Sequence, residues 1–310
     1  MLRVGVIGTG AMGVNHIRIY HEMEGVELVG ISDIDEKRVN ELSRKYETEP
    51  FTDYKRLLGK DLDAISIVVP TKLHKRVCLD ALEAGANVLV EKPIADTPEN
   101  ANIMIQAAKN AGKALMIGHI ERFNPAVIKL KEIIDEGLLG KIVSISTRRV
   151  GPYNPRIRDV GVILDIGVHD IDIISYLYGL EVNNVHAIAG ADIHPFEDHA
   201  SIHLRFDHDL TGLVDTNWLT PHKIRNLTAV GIKGVAYLDY INQTLELHDE
   251  NWIREAKVDK AEPLRNELEH FIKCVSTGEK IHPNGENGKH ALEVCMAAIE
   301  SYKQEKTIQL

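Results

Sequence analysis

Gly8-Thr9-Gly10-Ala11-Met12-Gly13 directly follows the apolar run Val4-Gly5-Val6-Ile7 and leads into a helical pattern. Glycines at this spacing meet three demands. Gly8 permits a tight turn, Gly10 lets backbone approach a pyrophosphate, and Gly13 lets helix pack closely on strand, while the helix N-terminus attracts the anion. Asp33 falls 20 residues beyond Gly13 at the end of the second predicted strand, where a carboxylate accepts from the ribose hydroxyls of adenosine. The pattern points to a dinucleotide, with Thr9, Ala11 and Met12 in the same cradle. Asp33 favours NAD, because a carboxylate repels the ribose phosphate of NADP. Arg38, five residues on, leaves NADP open as the less favoured cofactor: it could counter a phosphate, stack on adenine, or simply be a solvated surface arginine. A second set is Asp165, His169 and Asp172, spaced i, i+4 and i+7 inside an otherwise apolar stretch, which places all three on one face of a predicted helix.

The elements that must position these groups fall into two regions. Up to about residue 118, strand patterns at 3–7, 26–32, 64–69, 87–90 and 114–117 alternate with helical patterns at 11–22, 35–46, 73–84 and 98–111, which predicts a parallel sheet. The runs at 65–69 and 88–90 are apolar on both faces, as strands covered on each side must be. Thr97-Pro98 supplies an N-cap with proline at the first helical position, and Gly85 and Gly112 sit where helices end. Beyond 118 the texture changes: a helix at 125–136, a strand at 141–149, a Pro-rich loop at 151–155, and a helix from about 160 to 178. Alternating segments follow at 200–206, 210–218, 225–231, 235–240 and 244–248, with Ser201, His203 and Arg205 on one face. Helices at about 264–276 and 285–303 close the chain. The fold class is therefore α/β. A doubly wound Rossmann domain over 1–118 precedes an α+β domain over 119–310, built on an open, mostly antiparallel sheet and assigned to substrate binding and oligomerisation.

Composition narrows the function further. With 36 Lys plus Arg against 46 Asp plus Glu in 310 residues, the net charge of −10 offers no basic field for nucleic acid. No apolar run reaches a membrane span, and the opening residues lack a signal-peptide pattern, so a cytoplasmic protein is expected. Cys78, Cys274 and Cys295 are too scattered for disulfides or zinc and read as buried apolar residues in a reducing compartment. His194, Asp198, His199 and His203 cluster in sequence, but their spacing matches no standard ligand arrangement, so no metal is expected.

The glycine motif, Pro70-Thr71-x-x-His74, Glu91-Lys92-Pro93 and Asp165-x-x-x-His169 together resemble the Gfo/Idh/MocA oxidoreductases. The resemblance implies that Lys92 lies beside the nicotinamide and the reacting hydroxyl, that the bond before Pro93 is cis, and that Pro70, Thr71, His74 and Glu91 line the cofactor. Oxidising a secondary alcohol releases a proton as well as a hydride, which makes His169 the candidate base, with Lys92 the alternative. Asp165 then orients the substrate, and Asp172 steadies the group from the next turn.

Within the family, residues 118–125 and 151–172 look most like the UDP-N-acetylglucosamine 3-dehydrogenases, whose 3-keto product a separate aminotransferase can use. That likeness adds Arg122, Asn124, Tyr153, Arg156 and Arg158 to the substrate site, with the arginines as a diphosphate clamp and Tyr153 stacking on uracil. Arg148 and Arg149 also flank the loop, although neighbours on a strand face opposite ways. Two other readings stay open: a dehydrogenase of a free cyclitol or monosaccharide, and a non-catalytic sensor of NAD or a sugar nucleotide. The half-open sheet predicts a homodimer or homotetramer.

Overall fold

A computed structural model describes residues 1–155 and 160–310. The chain forms two compact units, one of residues 1–120 with 264–289 and the other of residues 121–263 with 290–310. A segment near the C-terminus, residues 264–289, thus belongs to the first unit.

The first unit is a six-stranded parallel sheet in the order β3-β2-β1-β4-β5-β6. Its elements are β1 (Leu2–Ile7), α1 (Ala11–Glu22), β2 (Val26–Ser32), α2 (Glu36–Lys45), β3 (Glu49–Phe51), α3 (Tyr54–Leu58), β4 (Ala64–Ile67), α4 (His74–Glu83), β5 (Asn87–Glu91), α5 (Pro98–Ala111) and β6 (Leu115–Gly118). The order reverses at β1, so the carboxyl ends of β1 and β4 flank the crevice where such sheets bind ligands. Val4, Val6, Ile65, Ile67, Val88, Leu89 and Val90 are all fully buried, the burial on both faces that their apolar runs predict. Thr97 caps α5 by accepting from the Asn100 N–H, with Pro98 in the first turn. Strand β3 and helix α3 escape the sequence reading, because three and five residues are too short to carry a period.

The second unit holds α6 (Pro125–Asp135), β7 (Ile142–Pro152), α7 (Val168–Tyr178), β8 (Asn184–Gly190), β9 (His199–Arg205), β10 (Thr211–Asn217), β11 (Leu219–Gly231), β12 (Gly234–Asp239), β13 (Thr244–His248) and β14 (Ile253–Glu255). Helix α8 (Pro263–Thr277) and the start of α9 (Gly285–Gln304) carry the returning segment of the first unit, and β15 (Ile308–Gln309) ends the chain. The nine strands run β14-β13-β12-β11-β7-β10-β9-β8-β15, antiparallel except where β10 lies parallel to β7. Ile202, Leu204 and Val214 are buried on one face, while Ser201, His203 and Arg205 are exposed on the other, as the alternation predicts.

The helix expected from about residue 160 begins at Ile163, with a π-helical turn (Ile163–Gly167) that passes directly into α7. Seven of the eleven residues of α7 are buried, Asp170 and Asp172 among them, so this helix lies inside the unit and its carboxylates need partners. All three cysteines are free and buried. Among the described residues no helix is long and apolar enough to cross a membrane.

Candidate active site

The turn between β1 and α1 is shaped by contacts that only glycine tolerates. Gly8 has φ of +98°, and a Cβ there would lie 2.3 Å from the Val68 carbonyl; a Cβ on Gly13 would lie 2.0 Å from the Gly8 carbonyl. Around Gly10, by contrast, a Cβ would meet nothing within 4 Å. Gly10 is also the N-cap of α1, with no side-chain cap and no acidic residue in the first turn. The open space beside Gly10, at a helix N-terminus with no side-chain cap and no acidic residue in its first turn, fits a pyrophosphate.

Asp33 sits just past β2, half-buried. Its Oδ2 accepts from the N–H and the hydroxyl of Thr9, both at 2.7 Å, and its Oδ1 accepts from the Asp35 N–H at 3.0 Å. Burial pushes this carboxyl up, but those hydrogen bonds and the charge of Arg38 outweigh it and hold Asp33 below the ordinary carboxylate range. With about four lone-pair sites on a carboxylate and three in use, Oδ1 keeps room for a ribose hydroxyl. Arg38 is exposed in the first turn of α2, Met12 is about one-third exposed beside the glycine turn, and Ala11 is exposed next to it.

Two loops of the first unit carry the remaining predicted cofactor residues. Thr71 opens a 3-10 turn after Pro70, which caps it, and Lys92 follows β5, half-buried, with a cis bond to Pro93. His74 corrects its sequence reading. It is buried, with Nε2 at 2.9 Å from the Val69 carbonyl and Nδ1 at 3.0 Å from that of Pro93, so it straps the loop after β4 to the loop after β5. Burial pulls it below the ordinary histidine range against the pull of those carbonyls. A ring committed to two backbone carbonyls has nothing left for a nicotinamide ribose. Glu91, too, is bound internally: Nε2 of the buried His16 lies 3.1 Å from its Oε1. Burial raises the Glu91 carboxyl, yet the His16 hydrogen bond and the charge of Lys92 bring it below its usual range.

In the second unit Asp165 lies in the π-helical turn and His169 near the start of α7, both half-buried. π-helical turns inside helices recur at functional sites. Asp172 does not join them. It takes Arg122 in a two-pronged pair at 2.6 and 2.7 Å, with both side chains almost wholly buried. Arg122 is thus spent on α7 rather than on substrate. Asn124 is likewise buried, its Oδ1 capping α6 through the Ala126 N–H and its Nδ2 donating to the Tyr240 carbonyl. Arg149 is no clamp either. It lies in the core, donating to Glu121 at 2.7 Å and Asp170 at 3.0 Å beneath the Tyr240 ring, whereas Arg148 faces outward to Asp215. The coulombic pull of Asp170 and Glu121 overcomes desolvation and raises Arg149, while desolvation in turn lifts Asp170 to about 6 despite the arginine. Tyr153 packs against Trp218 and His194 and meets the His194 Nε2 through its hydroxyl at 3.0 Å. Arg156 and Arg158 lie outside the described residues.

Sequence reasoning missed His16, Glu121 and Glu197. The Glu197 carbonyl accepts from the Val162 N–H, and a Cβ on Gly161 would lie 2.1 Å from the Glu197 carboxyl, so this pair braces the entry to the π-helical turn. His16 stands on the face of α1 that carries Ile17 and Tyr20, whereas Glu121 and Glu197 have polar sequence neighbours and gave no signal. The histidine cluster resolves into a loop device: Asp198 accepts from the N–H groups of Asp192, Ile193 and His194, and lies against His199 Nδ1. Asp192, Asp198 and His199 bring ligand atoms within 4.8 Å of one another, but those contacts already satisfy Asp198.

Residues 2–119 match the model of the oxidoreductase family with an NAD-binding Rossmann fold, and residues 127–237 match the GFO/IDH/MocA C-terminal domain. The chain belongs to the GFO/IDH/MocA family. It is accordingly an NAD-dependent dehydrogenase, and the glycine turn and Asp33 are the residues that fit the cofactor. Curated members of the family include UDP-N-acetylglucosamine 3-dehydrogenase of Acidithiobacillus ferrooxidans, 27% identical over 98% of this chain and 99% of that protein. Myo-inositol 2-dehydrogenase of Thermotoga maritima is 29% identical over 100% of this chain and 98% of its own. A solved structure of the Acidithiobacillus enzyme superposes with a TM-score of 0.91 at 26% identity, covering 98% of each chain.

Proposed function

We propose that this chain oxidises the sugar 3-hydroxyl of UDP-N-acetylglucosamine to the 3-keto sugar nucleotide. The observation that carries the reading is its end-to-end likeness, in sequence and in fold, to the Acidithiobacillus enzyme of that name. A second reading, oxidation of a free cyclitol, draws on the comparable likeness to the Thermotoga inositol dehydrogenase. Reduced-nicotinamide absorbance on mixing the protein and NAD with each substrate decides between them. Signal with UDP-N-acetylglucosamine and none with myo-inositol supports the first, and the reverse overturns it.

NAD, when bound, supplies the hydride acceptor for the carbon that is oxidised. The hydroxyl proton goes to His169, a histidine being the side chain most often used as a general base. The ammonium of Lys92 stabilises negative charge developing on the same oxygen, and Asp165 orients the sugar hydroxyls. Arg156 and Arg158 hold the diphosphate, with Tyr153 at the base. Two or four copies of a cytoplasmic protein, working with a separate aminotransferase that consumes the ketone, complete the reading. Replacing His169 by Asn should lower turnover by about 10²–10⁴ while leaving NAD affinity unchanged, because the cofactor residues are elsewhere in the sequence. Wild-type turnover in that variant would hand the base role to Lys92.

A further inference from the structure

Helix α1 buries Gly13, His16, Ile17, Ile19 and Tyr20 and exposes most of the rest. Four of those buried positions are what packing on a sheet requires. His16 is not: its side chain is 0% exposed, and an imidazole loses hydrogen bonds to water there that something must replace. One nitrogen finds a replacement. Nε2 lies 3.1 Å from Glu91 Oε1, while Nδ1 has no hydrogen-bond partner among the described residues. A proton on Nε2 serves both atoms, since it is donated to the carboxylate and leaves Nδ1 a bare lone pair rather than a stranded N–H.

The Glu91 carboxylate is held from three sides. His16 reaches it from α1, its other oxygen accepts from the Lys92 N–H at 3.3 Å, and Gly118 at the end of β6 packs so closely that a Cβ would come within 3.1 Å of Oε2. Glu91 is the last residue of β5 and Lys92 the first beyond it. The direction in which the chain leaves the sheet at Lys92 is therefore set by this carboxylate. Helix α1 also carries the glycine turn at its N-terminus, and six residues of helix separate Gly10 from His16, about 9 Å of rise. One rigid helix thus indexes both the dinucleotide cradle and the loop that bears Lys92.

We propose that His16 is a positioning residue for Lys92, acting through Glu91. The inference rests on the reading of Lys92 given above, and it assigns a role to a side chain that the reaction itself never touches. A histidine serving packing alone would be replaceable by any apolar residue of similar volume. A positioning histidine is replaceable only by a donor that reaches Glu91.

His16→Leu fills the volume without a donor, and His16→Gln restores an N–H near the same place. Turnover, KM for whichever substrate the wild type oxidises, NAD affinity and thermal midpoint are measured for each, and for Lys92→Ala and the double variant Lys92→Ala, His16→Leu. In His16→Leu turnover should fall about tenfold to a hundredfold, the scale of a sub-ångström to 1 Å misplacement of a reacting group. NAD affinity should stay within about threefold, and His16→Gln should recover most of the loss. Once Lys92 is gone, removing His16 should cost little more, because the two changes act on one group. Full turnover in His16→Leu, equal damage in the Gln and Leu variants, or additive losses in the double variant would each overturn the proposal. Wild-type turnover in Lys92→Ala would instead overturn the reading of Lys92, and the comparison keeps the two failures apart.

Discussion

The carboxylate of Asp33 has a structural role and is proposed to set cofactor choice as well. It ties Thr9 of the glycine turn to the end of β2 and keeps one lone-pair site for a ribose hydroxyl. Asp33→Ser should narrow the preference for NAD over NADP by about tenfold or more, since both the ribose acceptor and the repulsion of a 2′-phosphate are lost. Paired titrations of the two dinucleotides check it, and a wild type that already prefers NADP would remove Asp33 from that role. Motifs made this residue legible because their spacing encodes a backbone geometry. Arg122 and Asn124 were misread for the converse reason. A polar side chain beside a motif reads as a substrate contact, and only the fold reveals that its partner, Asp172 or the Tyr240 carbonyl, lies tens of residues away.

At the scale of elements, α7 is the informative case. Its length and apolar character were readable, but the π-helical turn before it was not, since no local propensity distinguishes such a turn from ordinary helix. The helix is fastened by two buried ion pairs, Asp172 with Arg122 and Asp170 with Arg149. Breaking one leaves an uncompensated charge, so Arg122→Ala should cost about 3–5 kcal/mol, measured by denaturant unfolding. Replacing Arg122 and Asp172 together by leucines should cost clearly less, and equal losses would mean that the pair does not hold the helix. Asp170 adds a pH signature. Its carboxyl rises from 3.8 to about 6 on folding, so between those values the folded state binds the extra proton, and stability falls as pH rises through that window. Asp170→Asn lacks the group, and its stability relative to wild type should improve as pH is raised from about 4 to about 6. A difference that stays constant over that range would show that Asp170 is not desolvated in the fold.

For the molecule as a whole, alternation in the sequence identified the sheet of the second unit and its exposed face, but not its extent. Strands β14 and β15 are three and two residues long, and the parallel pairing of β10 with β7 depends on which strands become neighbours, which no local pattern records. The exposed face has a consequence of its own. Across it His186, His203, Leu213, Ser146, Thr228, Tyr237 and Glu246 stand in one cross-strand row, with Ile188 in the adjoining row. Ile188 is 70% exposed and Tyr237 44%, while the neighbouring Arg148 and Asp215 already neutralise each other. A sheet face that exposes Ile188, Leu213 and Tyr237 is suited to a second copy of itself, because an isologous contact buries the same residues twice. Sedimentation should therefore give a mass at least twice the 34.6 kDa of the chain. Leu213→Glu with Tyr237→Glu places carboxylates in the middle of that row, where a two-fold axis would set like charges against each other. The double variant should sediment as a single chain with its thermal midpoint largely kept, since both side chains are solvent-facing in the isolated subunit. A wild type that sediments as one chain, or a variant that still associates, would place the contact elsewhere or abolish it.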